Sequence, residues 1–255
     1  MSLAVTPMIN YFAYLLDGDN WSWASGSSLP HRLLEHVWFT LVALLISALI
    51  ALPIGLLIGH TNRGAFLAIN IGNAGRSLPT FGLLSLMVTL VGIGTIPVLV
   101  ALIVLAVPPI LAATYAGIRS VDRAAVDAAI GMGMRPWQVL FRAEVPMAMP
   151  LIIGGLRSAL LQVCATATVA AYVGLGGLGR LLVDGLSVSQ YDQVFAGAVL
   201  VAVLAIALDL TAAAAERAVV SPGVRVRRSR RSGSPSAQPT AKSTAQQAPS
   251  AGSNR

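Results

Sequence analysis

Long apolar runs almost free of charge constrain this chain more than any other feature. Such runs lie at about 38–59, 66–91, 96–118, 146–172 and 194–215. A bilayer's hydrocarbon core takes about 20 apolar residues of helix, so each run is long enough to cross it. Within lipid every backbone N–H and C=O needs a partner inside its own segment, which selects helices. Charged residues make up 11% of the 255, where a soluble domain carries about 25%. The expected fold class is therefore all-α: a polytopic membrane helix bundle of about five transmembrane helices. Pro53, Pro79 and the pair Pro108–Pro109 should bend three of them. The second run is polar in its first half.

Charge sets the orientation. Arg63, the residues from Arg119 to Arg142, and the chain after Arg217 make one side basic. The other side holds Asp17, Asp19, Glu35, Asp184 and Asp192 against Arg32 and Arg180. Positive charge stays in the cytoplasm, so the N-terminus is expected outside and the tail inside. Residues 1–35, with Tyr11, Phe12, Tyr14, Trp21 and Trp23, read as an external interfacial segment, and 36–217 as the membrane domain. Residues 218–255 read as a disordered basic cytoplasmic tail. Its cluster Arg225, Arg227, Arg228, Arg230 and Arg231 is an anchor or, on a sharper reading, a patch whose grip on anionic lipid senses ionic strength. A net charge of +7 located this way is no nucleic-acid signal. Acidic rather than basic residues precede the first long run, so no cleaved signal peptide is expected.

The loop at 119–146 is too long and too patterned for a simple connection between helices, which needs about 2–8 residues. Residues 124–129 favour a helix, and Gly131 and Gly133 are able to end it. Pro136 suits the first turn of a second helix over 137–143, and Pro146 and Pro150 mark re-entry to the membrane. Ala128, Ala129 and Gly133 permit close approach of another backbone. Met132, Met134 and Trp137 supply an adaptable apolar contact.

The order Asp127-Ala128-Ala129, then Gly133, then Val145-Pro146 resembles the EAA loop of the inner-membrane subunits of ABC importers. The departure is Asp127, where that pattern usually has Glu. Leu34-Glu35-His36, the run 115–122, the glycine-rich run 174–179, and Ala207-Leu208-Asp209-Leu210 are similar to the glycine betaine/carnitine/choline permease subgroup. The resemblance spans roughly 30–215. It implies the type I ABC importer permease fold, with Asp127, Ala128, Ala129, Gly133, Met134, Pro136, Trp137 and Pro146 in a cytoplasmic coupling loop that docks on an ATPase. It further implies a second permease chain, identical or paralogous, and an extracytoplasmic substrate-binding protein. ATP and Mg would be bound by the partner ATPase, with no cofactor in this chain. The solute class so implied is the quaternary-ammonium compatible solutes. Alternatives are another small solute such as an amino acid, or a stand-alone channel or secondary carrier.

The chain has no G-x-x-x-x-G-K-[ST] sequence, and its lysine, Lys242, sits in the tail, so it supplies no P-loop. It is read as no enzyme and as holding no metal. Gly174, Gly176, Gly177 and Gly179 contain a G-x-G-x-x-G spacing, but after a membrane helix rather than in a strand-turn-helix unit. They form either an external turn that a binding protein meets or a point of close packing. Arg76, Arg157 and Asp209 are charges inside expected spans, hence functional candidates; a bracing Arg157–Asp209 pair is expected. Asn70, Asn73, Ser77 and Thr80 recur at helical spacing as a candidate pathway lining. The rival reading of that stretch is a surface helix over 65–76 followed by a short span.

Overall fold

The computed structural model describes residues 5–23, 26–77 and 79–219, with side chains except at 5–10, 67, 74–76 and 219. The basic tail and its arginine cluster lie outside the described residues. Among the described residues all regular structure is helical. The helices are α1 (Val5–Leu16), α2 (Leu29–Thr61), α3 (Ala65–Ser77), α4 (Thr80–Val91), α5 (Thr95–Arg119), α6 (Arg123–Gly131), α7 (Pro136–Val139), α8 (Val145–Ala167), α9 (Gly179–Ser187) and α10 (Tyr191–Val219).

Among the described residues, four helical segments are long and apolar enough to cross a membrane: Leu29–Thr61, Thr95–Arg119, Pro136–Val173 and Tyr191–Ala218. The expected second span is instead divided into α3 and α4 around Pro79, which stands at the N-cap of α4. Proline lacks an N–H donor and disfavours helical geometry in the residue before it. The 12 residues of α4 reach only about 18 Å at 1.5 Å per residue, short of a hydrocarbon core of about 30 Å. By contrast, Pro53, Pro108 and Pro109 are carried inside α2 and α5 as continuous helices.

The fourth span also differs from expectation. No break marks Pro146; the chain is helical from Pro136 to Val173. A π-helical turn, Leu140–Glu144, joins α7 to α8, and the Val145 N–H donates to the Leu140 carbonyl five residues back. This wider turn comes just before Pro146, whose missing N–H would leave a gap in an α-helical ladder.

The centre of the bundle is α2, α5 and α8. Small residues bring these helices together: a Cβ on Gly55 would come within 2.7 Å of Thr114 Cβ, and one on Gly59 within 2.7 Å of Ile118 Cβ. Small residues at helix contacts are the usual device where lipid removes the hydrophobic drive for association. One apolar cluster, including Ala51, Val98, Leu102, Leu111 and Val163, unites α2, α4, α5 and α8. A second, with Ile118, Val126, Ala129, Val139, Leu140 and Ile152, fastens the 119–146 loop to α5 and α8. A third, with Leu29, Cys164, Leu178, Leu181 and Leu204, joins the start of α2 to α9 and α10. The N-terminal aromatics partly pack on this last region: Phe12 meets Phe195 edge-on at 5.0 Å, and Tyr11 lies 5.8 Å from the same ring.

Candidate functional site

The loop forms a compact helix-turn-helix at one end of the bundle. Asp122 caps α6, its carboxylate accepting the Ala124 N–H at 3.0 Å. The helix runs through Gly131 and turns at Gly133, where φ is +82°. The Gly133 N–H donates to Ile130 O at 2.9 Å and the Met134 N–H to Ala129 O at 3.2 Å. This pair of bonds is the Schellman stop, which needs a left-handed residue at that position. The second helix starts at Pro136, and Gln138 Oε1 accepts the Arg135 N–H at 2.9 Å.

The two faces of this unit differ. Val126, Ala129, Val139 and Leu140 are buried, and Met134 turns inward against them. Asp127, Ala128, Gly133, Pro136 and Pro146 are exposed. So are Ile130, Met132, Trp137 and Phe141, with the Trp137 and Phe141 rings stacked at 6.2 Å and 16°. A cluster of large apolar side chains beside small residues, on a polar loop, is a surface suited to a protein partner.

A contact absent from the sequence reading fixes this loop to the bundle. His60 Nδ1, in the last turn of α2, lies 2.6 Å from Glu144 Oε2 in the π-helical turn. Glu144 is 6% exposed, so its carboxylate is withdrawn from water and held by the imidazole. No local pattern links residues 84 positions apart.

Arg157 and Asp209 face one another between α8 and α10. Arg157 Nε and Nη2 donate to Asp209 Oδ1 at 3.1 and 2.8 Å. Its Nη1 donates to Glu216 Oε2 at 2.9 Å, a third member the sequence reading did not single out. Spacing alone offered that signal, since Glu216 follows Asp209 by two helical turns. The side chain of Arg76 lies outside the described residues.

Near the middle of the bundle α3, α5 and α8 enclose a cleft of about 480 Å³. Its walls include Gly72, Pro108, Pro109, Gly155, Ser158 and Gln162. Pro109 has no N–H to offer the Leu105 carbonyl four residues before it. Gln162 Nε2 donates to that carbonyl at 3.3 Å instead. The expected polar stripe is distributed over two helices. Asn70 and Asn73 are exposed on α3, and Asn70 Nδ2 bonds back to Phe66 O at 2.7 Å. Ser77 is exposed at the end of α3, and Thr80 belongs to α4, where it lines a small void with Thr166. Among the described residues, Gly72 is the α3 residue that enters the large cleft.

The glycine-rich run packs closely at the opposite end. The Gly177 N–H donates to Glu35 Oε2 at 2.7 Å, with φ +83° at Gly177. A Cβ on Gly176 would overlap the Glu35 carboxylate, and one on Gly179 the Thr168 carbonyl. A Cβ on Gly174, by contrast, would meet nothing within 4 Å. Below this turn His36 is 1% exposed, and its Nε2 is 2.9 Å from Cys164 O.

Comparison with known proteins agrees with this architecture. The chain is 35% identical over 200 residues to the choline transport system permease protein OpuBB of Bacillus subtilis, covering 78% of this chain and 92% of that one. It is 34% identical to the glycine betaine/carnitine/choline transport system permease protein OpuCB of the same organism, with the same coverage. It is 33% identical to the osmoprotectant import permease protein OsmW of Salmonella typhimurium, covering 69% of this chain and 84% of that one. Among solved structures, a chain of the inward-facing MetNI methionine ABC transporter superposes with a TM-score of 0.67 at 23% identity, covering 76% of this chain and 96% of that one. An amino acid ABC transporter superposes at 0.60 with 18% identity, covering 86% of this chain and 98% of that one. These likenesses establish the type I importer permease fold. Residues 25–221 match the family described as the inner membrane component of binding-protein-dependent transport systems, and the chain belongs to that family.

Proposed function

We propose that this chain is the permease subunit of an ATP-driven importer for quaternary-ammonium compatible solutes such as glycine betaine, carnitine and choline. The observation that carries the solute class is the run of relatives named for those solutes, each similar over most of both chains. The likeness to methionine and amino acid transporters is below 25% identity and bears on fold alone.

The geometry supports a division of labour. The exposed Ile130, Met132, Trp137 and Phe141 receive a separate ATPase, which binds ATP and Mg. Val126, Ala129, Val139 and Leu140, with the His60–Glu144 bond, carry motion from that surface into α2, α5 and α8. The cleft between α3, α5 and α8 contributes to the translocation path, with a second permease chain completing it. Asn70, Asn73 and Ser77 extend its polar lining along α3. The α6–α7 end faces the cytoplasm, in keeping with the arginines at 119, 123, 135 and 142. The opposite end, with Gly174 open at its turn, receives the binding protein.

The test is uptake of labelled glycine betaine by cells lacking their own betaine importers. The cells express the ATPase and the binding protein with or without this chain. Uptake that requires the chain and is competed by carnitine and choline supports the assignment. An assembled complex that takes up an amino acid and no quaternary ammonium compound replaces the solute class.

A further inference from the structure

The cleft between α5 and α8 stops at one side-chain contact. Its wall on α8 runs from Pro150 through Gly154 and Ser158 to Gln162. These positions are four residues apart, so they share one face of the helix. A Cβ on Gly154 would meet nothing within 4 Å, which marks that face as open. The next position in the series, Thr166, lines a second space, where α4 packs on the same two helices. Thr80, Leu102 and Leu105 complete its walls. This void is about 10 Å³, against about 480 Å³ for the cleft. One water needs about 10–15 Å³ on such a measure, so no solute fits there. The cleft reaches Ala116 and Pro150, close to the 119–146 loop. The void reaches Ala170, close to the glycine-rich turn. One series of residues on α8 is thus open toward the loop and shut toward the opposite end.

The boundary is the bond between Gln162 and Leu105. Gln162 walls the cleft and Leu105 walls the void. The Gln162 amide donates to the Leu105 carbonyl at 3.3 Å, a long bond suited to repeated opening. That carbonyl is free to accept because Pro109 has no N–H to give it. Pro108 withholds a donor from the Val104 carbonyl in the same way. The backbone ladder of α5 is therefore thinnest at the level of Gln162, and helices bend at prolines. A bend of α5 here breaks few bonds of its own helix. The bond it has to break is the one to Gln162.

We propose that Gln162 is the gate residue of the translocation path: its bond to the Leu105 carbonyl closes the seam between α5 and α8, and bending of α5 at Pro108–Pro109 opens that seam as far as Thr166. The inference deepens the proposed function. It rests on that reading for the cleft being the path, and not on the identity of the solute.

The test is thiol reactivity in the full complex with the ATPase and the binding protein, in nanodiscs, with a small water-soluble methanethiosulfonate. Cys164 is 0% exposed, so the chain without a further thiol is the blank. Ser158→Cys reports the cleft and Thr166→Cys the void. Leu161→Cys, on another face of α8, reports reagent arriving through lipid. Without nucleotide, Ser158→Cys should react and Thr166→Cys should not. ATP with the binding protein should make Thr166→Cys reactive, and its failure to react overturns the proposal. This arm keeps the native glutamine and does not depend on any gate variant assembling.

Gln162→Met keeps the bulk of the side chain and removes its amide. It should raise the nucleotide-free reaction of Thr166→Cys about two- to tenfold, the worth of one hydrogen bond. Reactivity of Ser158→Cys should stay as it was, which shows an intact complex. Gln162→Ala should raise the Thr166→Cys reaction at least as much. A rise in Gln162→Ala alone assigns closure to bulk and overturns the role of the bond. An equal rise at Leu161→Cys assigns the change to lipid access and overturns it too. Uptake by the same complexes in proteoliposomes separates this reading from the solute class. Betaine uptake with Thr166→Cys unreactive under ATP removes the gate and leaves the importer. ATP-dependent reactivity with uptake of an amino acid in place of betaine leaves the gate and removes the solute class.

Discussion

His60 Nδ1 and Glu144 Oε2 approach to 2.6 Å, joining the last turn of α2 to the turn through which the 119–146 loop enters α8. In the proposed function this bond passes motion of the loop to α2 as well as to α8. Glu144→Ala should leave the half-buried His60 imidazole without its partner and cost about 1 kcal/mol locally. The expected outcome is an assembled complex that hydrolyses ATP but moves less solute per ATP. Glu144→Gln, which keeps a hydrogen-bonding side chain, should retain most of that ratio. Normal transport per ATP in Glu144→Ala would show that the bond transmits nothing.

Gly133 ends α6 at φ +82° in otherwise open space. An L-residue in that region costs about 1–2 kcal/mol. Gly133→Ala should loosen the turn and weaken ATPase binding, and Gly133→Asp should do so more severely by adding charge to the docking face. Co-purification of the ATPase with each variant measures this. Equal recovery from wild type and both variants would contradict the docking role of the turn.

Arg157 bridges two carboxylates on α10, Asp209 and Glu216. Asp209→Asn leaves it one anionic partner, whereas Arg157→Gln leaves both carboxylates without their cation. The arginine variant should therefore reduce the steady-state level of the complex several-fold, and the aspartate variant less. A double exchange, Arg157→Asp with Asp209→Arg, should recover part of the level. Recovery no better than that of either single exchange would rule out a bracing pair.

The glycine-rich turn divides by position. Gly176→Ala places a methyl group against the Glu35 carboxylate, and Gly179→Ala places one against a backbone carbonyl. Overpacking of this kind costs about 1–3 kcal/mol. Both should lower thermal stability of the purified complex, Gly179→Ala more, because a side chain yields more readily than backbone. Unchanged melting in both would mean that the run is not packed as described.

Much of this was legible along the sequence because it is written in local periods. Apolar runs of span length, the Asp127-Ala128-Ala129 to Gly133 spacing, and intramembrane charges at Arg157 and Asp209 are all one-dimensional signals. The break at Pro79 was half legible: the polar stretch before it already admitted a separate surface helix, and proline chemistry decides between the readings. The passage through Pro146 was not, because the chain stays helical there by way of a π-helical turn beginning at Leu140. Contacts made only in three dimensions stayed hidden. His60 and Glu144, and Gln162 and the Leu105 carbonyl, come from separate helices, and no repeat in the chain connects them.

The central claim is that this chain moves solute only when an ATPase acts on its α6–α7 surface. Proteoliposomes containing the chain, the ATPase and the binding protein test it directly, with labelled glycine betaine outside and ATP inside. The account predicts uptake that requires ATP, the binding protein and this chain, and that is lost in Gly133→Asp. Uptake by the chain alone, driven by a solute or ion gradient and indifferent to ATP, would contradict it and make the protein a carrier or channel.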